Sequence, residues 1–330
     1  MRAVVLREVN APLEVGDIET PSPRAGEVLV RVVACGLNPL DAKIRSGLAP
    51  HARVTPPFVL GIDLAGVVAA VGGEVDGYRV GDEVFGMTGG VGNLQGSLAE
   101  FAAVDARLLA HKPASWSMLQ AAAVPLGFIT AWEALVDRAA VTEGQQVLIH
   151  GGAGGVGYLA VQLASSRGAQ VFATGGPASQ DVIRRLGATP IDYMTAAVDD
   201  YVAAYTGGAG FDVVFDNVGG ATLDASFLAV KKYTGRVVSS LGWGTHSLAP
   251  LSFRGATYSG VFTLAPLLSG ERREHHGYIA GEAAALADAG LLAPRLDPRA
   301  FTLDTADEAL DLVGSNGAAG TVAVRVDESR

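Results

Sequence analysis

Apolar residues along this chain follow two rhythms. Over roughly the first 115 residues they come in short or alternating runs, as in Glu27-Val-Leu-Val-Arg-Val-Val-Ala34, Leu64-Ala-Gly-Val-Val-Ala-Ala-Val71 and Glu83-Val-Phe85. Gly, Pro and Asp separate these runs, and Gly72-Gly73 and Gly89-Gly90 mark further turns. This part is expected to be β-rich. From about Ser117 the pattern changes to helix–strand alternation, predicting helices over 117–123, 129–138, 155–167, 179–186 and 222–230. Strands are expected between them at 146–150, 170–174, 211–215 and 236–241. Such alternation implies parallel βαβ units in an α/β sheet. Tyr258-Ser-Gly-Val-Phe-Thr-Leu264 reads as a strand near that sheet's edge, and a helix near 274–289 and an edge-like strand at 321–326 close the chain.

The strand ending at His150 runs directly into Gly151-Gly-Ala-Gly-Gly-Val-Gly157. A helical pattern follows, with Val156, Leu159, Ala160 and Leu163 at i, i+3, i+4 and i+7 before Gly168 ends it. Gly152, Gly154 and Gly157 match the G-x-G-x-x-G spacing in the strand–turn–helix context it requires. Gly152 allows a tight turn, Gly154 lets bare backbone approach a pyrophosphate, and Gly157 permits close helix–strand packing. With Ala153, Gly155 and Val156 they would present free amides and a positive helix end to an anion, so the segment predicts a dinucleotide site. Ligands of such sheets bind at the carboxyl ends of the strands. Asn217, in Asp216-Asn-Val-Gly219, and Leu241 and Gly242, in Ser239-Ser-Leu-Gly242, are therefore expected beside a nicotinamide, although turn formation alone also explains them. Trp243 and Phe262 either line the site or simply pack.

Length and composition narrow the possibilities. A chain of 330 residues exceeds one typical core and suggests two domains. With 49% hydrophobic and 18% charged residues it reads as a globular protein. No apolar run reaches the roughly 18 residues of a membrane helix. The opening Met-Arg-Ala-Val-Val-Leu-Arg-Glu lacks signal-peptide features, so the cytoplasm is the expected location. The single cysteine, Cys35, rules out an internal disulfide and a multi-cysteine zinc site, and reads as a packed core residue. A net charge of −10 without a basic run argues against nucleic acid as a partner.

Five motifs, in order along the chain, carry a resemblance. They are Cys35-Gly-Leu-Asn-Pro-Leu-Asp41, Gly61-Ile-Asp-Leu-Ala-Gly66, Val80-Gly-Asp-Glu-Val84, Pro125-Leu-Gly-Phe-Ile-Thr-Ala-Trp-Glu-Ala134 and the glycine turn. Together they resemble the medium-chain dehydrogenase/reductase superfamily, and within it the zinc-independent quinone oxidoreductase (zeta-crystallin-like) branch. The resemblance implies a GroES-like catalytic domain over 1–118 that resumes over 266–330. It places a Rossmann cofactor domain, a doubly wound parallel sheet, over 119–265, with substrate in the inter-domain cleft.

By the same resemblance, the metal-ligand positions of zinc-dependent relatives correspond to Asn38, Ile62-Asp63 and Leu126. Ile62 and Leu126 cannot ligate a metal, and residues 86–97 hold no cysteines for a structural zinc lobe, so no metal is expected. His275-His276 read as a solvated helix start. Lacking a Lewis acid, the chain suits hydride addition to the β-carbon of an enone or quinone better than alcohol oxidation. The family's asparagine and threonine near this site map to Asn38 and Thr130, and Asp41 would orient its neighbours. Asn38 offers an amide donor and Thr130 a hydroxyl to the nicotinamide ribose or the substrate. Each also admits a local reading: Asn-Pro forms turns, and Thr130 caps the following helix. Where relatives often have a tyrosine two residues after the aspartate, this chain has Lys43, a proton source, an anion ligand or a solvated side chain.

NAD-specific domains place an acid about 20 residues past the glycine turn. Here the second strand ends at Thr174, Gly175-Gly176 follow, and no carboxylate appears before Asp181. A 2′-phosphate would meet no repulsion, so NADPH is expected, with a modest preference. Relatives often supply a Lys or Arg, but Pro177-Ala178-Ser179 stand here, leaving Ser179, Tyr193, Arg184 and Arg185 as its candidate partners. Tyr193 follows Ile191-Asp192 as in NADPH-using relatives. The expected function is reduction of small-molecule quinones or α,β-unsaturated carbonyls by an NADPH-dependent homodimer. A non-catalytic NADPH-binding protein (crystallin-like or a sensor) and a zinc-free alcohol dehydrogenase are the competing readings.

Overall fold

A computed structural model describes residues 1–327. The chain divides into two compact units, residues 1–126 with 264–327, and Gly127–Thr263.

The first unit opens with eight strands: β1 (Arg2–Leu6), β2 (Glu14–Asp17), β3 (Glu27–Leu37), β4 (Phe58–Val59), β5 (Asp63–Val71), β6 (Glu83–Met87), β7 (Phe101–Asp105) and β8 (Leu109–His111). Helices α1 (Pro39–Arg45) and α2 (Met118–Ala122) accompany them. β1, β2 and β4 form a small antiparallel sheet. β3 organises the larger one, because Val28, Val30 and Val32 alternate inward and every residue from Val32 to Leu37 is buried. Glycines bring its neighbours close: a β-carbon at Gly36 would stand 2.0 Å from the Ala122 carbonyl oxygen of α2, and one at Gly66 on β5 would stand 2.3 Å from that of Arg31.

The second unit begins within helix α3 (Pro125–Trp132), and Glu133–Arg138 continue from it as a wider π turn. The 129–138 helix expected from periodicity is thus two segments, and it starts earlier, at Pro125. Six parallel strands follow: β9 (Gln146–Ile149), β10 (Gln170–Gly175), β11 (Thr189–Asp192), β12 (Val213–Asp216), β13 (Arg236–Ser239) and β14 (Thr257–Gly260). They alternate with α4 (Gly155–Ser166), α5 (Gln180–Arg185), α6 (Val198–Thr206), α7 (Ala221–Ala229) and α8 (Ala249–Arg254). The sheet order β11-β10-β9-β12-β13-β14 is doubly wound, with its connections reversing direction at β9. β12 reads Val-Val-Phe-Asp, buried throughout, as a strand between covered faces must be. Phe211, expected within this strand, instead forms an isolated bridge to Val230. β14 is an outer strand, shorter than the expected 258–264 run.

The chain then returns to the first unit with α9 (Ala265–Ser269), α10 (Arg273–Asp288), β15 (Phe301–Thr302), α11 (Ala306–Gly314) and β16 (Val322–Arg325). The larger sheet runs β15-β16-β3-β5-β6-β8, with β7 also on β3. Two expectations are corrected here. The strand expected at the edge over 321–326 has partners on both sides, pairing β3 antiparallel and β15 parallel. His276 is fully buried rather than solvated, because α10 packs closely on β8 and the turn before it: a β-carbon at Gly277 would stand 2.3 Å from the Arg107 carbonyl oxygen in that turn and 3.0 Å from that of Leu109 on β8. Among the described residues, no helix is long and apolar enough to cross a membrane.

Candidate functional site

In the second unit the candidate residues gather at the carboxyl ends of β9, β10, β12 and β13. The glycine turn owes its shape to backbone contact. Gly151, at φ +70°, carries the tight turn that the spacing assigned to Gly152. Gly152 is needed for a different reason, since its β-carbon would stand 2.5 Å from that of Ala173. A β-carbon at Gly157 would stand 2.1 Å from the Gly151 carbonyl oxygen and 3.0 Å from Gly152 Cα. Gly154 is different: it is exposed, its nearest obstacle would be the Gly151 oxygen at 3.4 Å, and as the cap of α4 it offers no side chain to the first amides. Ala153 and Val156 are half-buried and Gly155 is exposed.

Side chains below the turn hold it in place. Thr174 is buried, and its hydroxyl accepts the Gly151 N–H at 3.2 Å and lies 3.2 Å from His150 Nδ1. Its carbonyl accepts the Gly152 N–H at 2.9 Å. Asn217 donates its side-chain amide to the His150 carbonyl. Asp216 is fully buried and accepts the Gly219 N–H at 3.0 Å and the Ser239 hydroxyl at 2.7 Å. Leu241 is half-buried, and a β-carbon at Gly219 would stand 2.7 Å from its carbonyl oxygen, so the loops after β12 and β13 touch. Gly242 is exposed, and a β-carbon there would meet the Tyr258 hydroxyl at 2.2 Å. Ser179 packs beside Gly175, and Tyr193, 60% exposed, overhangs Gly176. Arg184 is paired with Asp181 at 2.5 Å. Thr130 is buried against Thr263, with the two hydroxyl oxygens 3.0 Å apart.

These features fit a dinucleotide. An uncapped helix start beside an open glycine cradle suits a phosphate. The buried His150 Nε2 has no hydrogen-bond partner in the protein, and burial pulls this ring down to about 4, keeping it neutral. His150, Asp216, Ser239 and Thr263 stand at this site although the motifs do not single them out. Polar residues ending apolar strands were the available signal for the first three.

In the first unit the structure brings together Asn38, Asp41 and Asp63, all buried. Asn38 starts α1, and Asp41 reaches back to take its N–H at 2.8 Å and that of Gly61 at 3.2 Å. Asn38 Nδ2 donates to Asp63 at 3.0 Å, and the Leu126 N–H reaches both Asp63 oxygens at 3.0 and 3.1 Å. Burial pushes Asp41 up to about 7 against these hydrogen bonds. It holds Asp63 well above the usual carboxylate range, with Asp41 adding to the effect. Cys35 is fully buried, 3.0 Å from the Ser97 hydroxyl, and burial raises its thiol. Lys43 is exposed. Ile62 is fully buried and carries no donor atom, and among the described residues no group of three His, Cys, Asp or Glu side chains is placed to hold a metal ion. The residues present do not fit zinc.

Two predictions follow from this geometry. Gly154→Ala should melt like the parent yet bind dinucleotide weakly, whereas Gly157→Ala should lose about 1–3 kcal/mol or more of stability through backbone overpacking. Melting curves with cofactor titration separate the two, and equal effects would contradict the assignment. The second concerns pH. A buried acid whose pKa is raised when folded destabilises as pH rises from about 4 to 7, and a histidine whose pKa is lowered destabilises as pH falls from about 6.5 to 4. Relative to the parent, Asp41→Asn should therefore gain stability as pH rises through its window, and His150→Gln as pH falls through its own. Denaturant melts across pH check both signs.

Comparison with known proteins agrees with this architecture. Residues 24–114 match the alcohol dehydrogenase GroES-like domain, and residues 155–274 match a family described as zinc-binding dehydrogenase. The crystal structure of an alcohol dehydrogenase superfamily protein from Novosphingobium aromaticivorans is 56% identical, with a TM-score of 0.97 over 99% of this chain and 100% of that one. The 2-methylene-furan-3-one reductase of Solanum lycopersicum is 33% identical over 317 residues, 93% of this chain and 74% of the relative. The spectinabilin polyketide synthase system protein NorB of Streptomyces orinoci is 43% identical over 209 residues, 63% of this chain but 9% of that protein. The chain thus spans a small fraction of the polyketide synthases it matches. With a β-rich unit matching the GroES-like family, a doubly wound dinucleotide fold and these relatives, the chain belongs to the medium-chain dehydrogenase/reductase superfamily.

Proposed function

We propose that this protein reduces quinones or α,β-unsaturated carbonyls with NADPH and without zinc. The observation that carries this reading is the Asn38–Asp63–Leu126 cluster: an amide donor is held among buried groups, beside an isoleucine that cannot ligate. The bound nicotinamide supplies the hydride. Hydride adds to the β-carbon, the electron pair moves onto the carbonyl oxygen, and one proton from water completes the saturated carbonyl. For a quinone the product is the hydroquinone. Asn38 donates to the oxygen that gains charge, Asp41 orients Asn38 through its backbone, and Thr130 hydrogen-bonds the nicotinamide ribose or the substrate. The cradle from Gly152 to Gly157 holds the pyrophosphate, Thr174, Ser179 and Tyr193 lie toward the ribose phosphate, and Asn217, Leu241 and Gly242 flank the nicotinamide. The absence of an acid before Asp181 supports NADPH, and the Arg184–Asp181 pair supports only a modest preference.

The test is turnover of quinones, short enals, enones, enoyl thioesters and aldehydes with NADPH and NADH after chelation. NADPH oxidation by quinones or enones is expected, and Asn38→Ala should lower kcat on the order of 10²-fold with little change in melting temperature. Reduced cofactor that no acceptor oxidises would favour a binding protein, and alcohol-dependent NADP reduction alone would favour an alcohol dehydrogenase.

The outer position of β14 also supports a homodimer, since an open strand edge needs a cover. Light scattering at micromolar concentration should give twice the chain mass, and a monomer there would refute it.

A further inference from the structure

Two buried carboxyls flank Asn38 and act on different parts of it. Asp41 binds only its backbone N–H. Asp63, 2% exposed, binds its side chain. The two ends of an asparagine amide are nearly the same shape and opposite in hydrogen-bonding sense, so an unrestrained side chain can present either. Only one end serves a reductase: an N–H stabilises a developing oxyanion, and a carbonyl oxygen repels it. Asp63 supplies the restraint. Its own placement does not depend on Asn38, because the Leu126 N–H holds both of its oxygens. The atom that meets Asn38 is Oδ2, which accepts the Nδ2 proton at 3.0 Å, and an acceptor there selects the nitrogen.

Resting on the reductase reading above, we propose that Asp63 is the positioning residue of this site. Anchored by the Leu126 amide, it draws Asn38 Nδ2 toward itself and so leaves the second N–H of that nitrogen for the substrate oxygen. The substitution Asp63→Asn makes the logic explicit. Its carbonyl oxygen must take the Leu126 N–H, which turns its NH₂ toward Asn38. Two NH₂ groups cannot pair, so Asn38 reverses and its donor is lost to the substrate.

The experiment combines an orientation readout with a kinetic one. With selective ¹⁵N-asparagine labelling, and the Asn38 side-chain signal assigned by its loss in Asn38→Ala, one amide proton of Asn38 should be shifted downfield in the parent and should move upfield in Asp63→Asn. In steady-state kinetics Asp63→Asn should lower kcat on the order of 10²-fold, as Asn38→Ala does, leaving the cofactor dissociation constant unchanged. In the Asn38→Ala background it should add almost nothing, because the two act as one unit. An unmoved Asn38 signal, parent-like kcat, or a loss that persists in full without Asn38 would overturn the proposal. Should Asp63→Asn not fold, Asp63→Glu displaces the acceptor by one methylene and runs through the same cycle with the same criteria. A parent protein that turns over no quinone or enone refutes the reductase reading, while the labelled amide still decides the orientation.

Discussion

The approach of one stretch of backbone to another, from Gly157 to Gly151, is the contact around which the second unit is arranged. With 2.1 Å between a would-be β-carbon and a carbonyl oxygen, no other residue type fits without moving the turn. That contact seats α4 directly on the exit of β9, the strand where the sheet's connections reverse. The loops after β12 and β13 come to the same edge, and the helix begins where a phosphate can reach its amides. A steric allowance of a few ångströms thus sets where the free amides of α4 lie.

Both candidate regions are built from polar groups buried at the ends of apolar strands, which is costly unless each finds a partner. Asp216 is compensated by backbone amides and a serine, Asp41 by backbone amides, and Thr174 by the turn itself. Such networks cannot slide, because any displacement leaves a buried group unpaired. They give the loops around them a fixed geometry, as a site that must align a substrate requires. His150 is the exception, with one ring nitrogen that the protein leaves unpaired.

Residues 155–274 match a family described as zinc-binding, and the buried polar cluster of the first unit is held together by hydrogen bonds. Ile62 is buried and carries no donor atom, Leu126 gives its backbone N–H to Asp63, and Asn38 donates to Asp63 at 3.0 Å. An amide and carboxyls can orient and polarise an oxygen, a weaker pull than a divalent ion and one suited to charge already spread through a conjugated system.

Much of the architecture was legible without coordinates, because period-2 and continuous apolar runs report burial directly. β9, β10, α4 and α10 lie where periodicity placed them, within a residue or two, and β3 starts where expected but runs three residues further, to Leu37. β11 was not legible, since Thr189–Asp192 is short and contains a proline, whereas α6 was missed although Val198, Tyr201, Val202 and Tyr205 follow the i, i+3, i+4, i+7 rhythm behind the acidic first turn of Asp199 and Asp200. Local pattern also misjudged burial that distant residues decide. His276 looks solvated until α10 packs against the first unit's sheet, and 321–326 looks like an edge until β15 pairs with it. At the candidate site the sequence by itself determined the glycine spacing and the motif residues from which the proposal starts, because those patterns are local. Only the tertiary structure decided that Asp63 reaches Asn38, 25 residues away, and that Asn217 braces His150 across 67. Hydrogen bonds of that kind depend on strand register and loop closure, which no local pattern encodes.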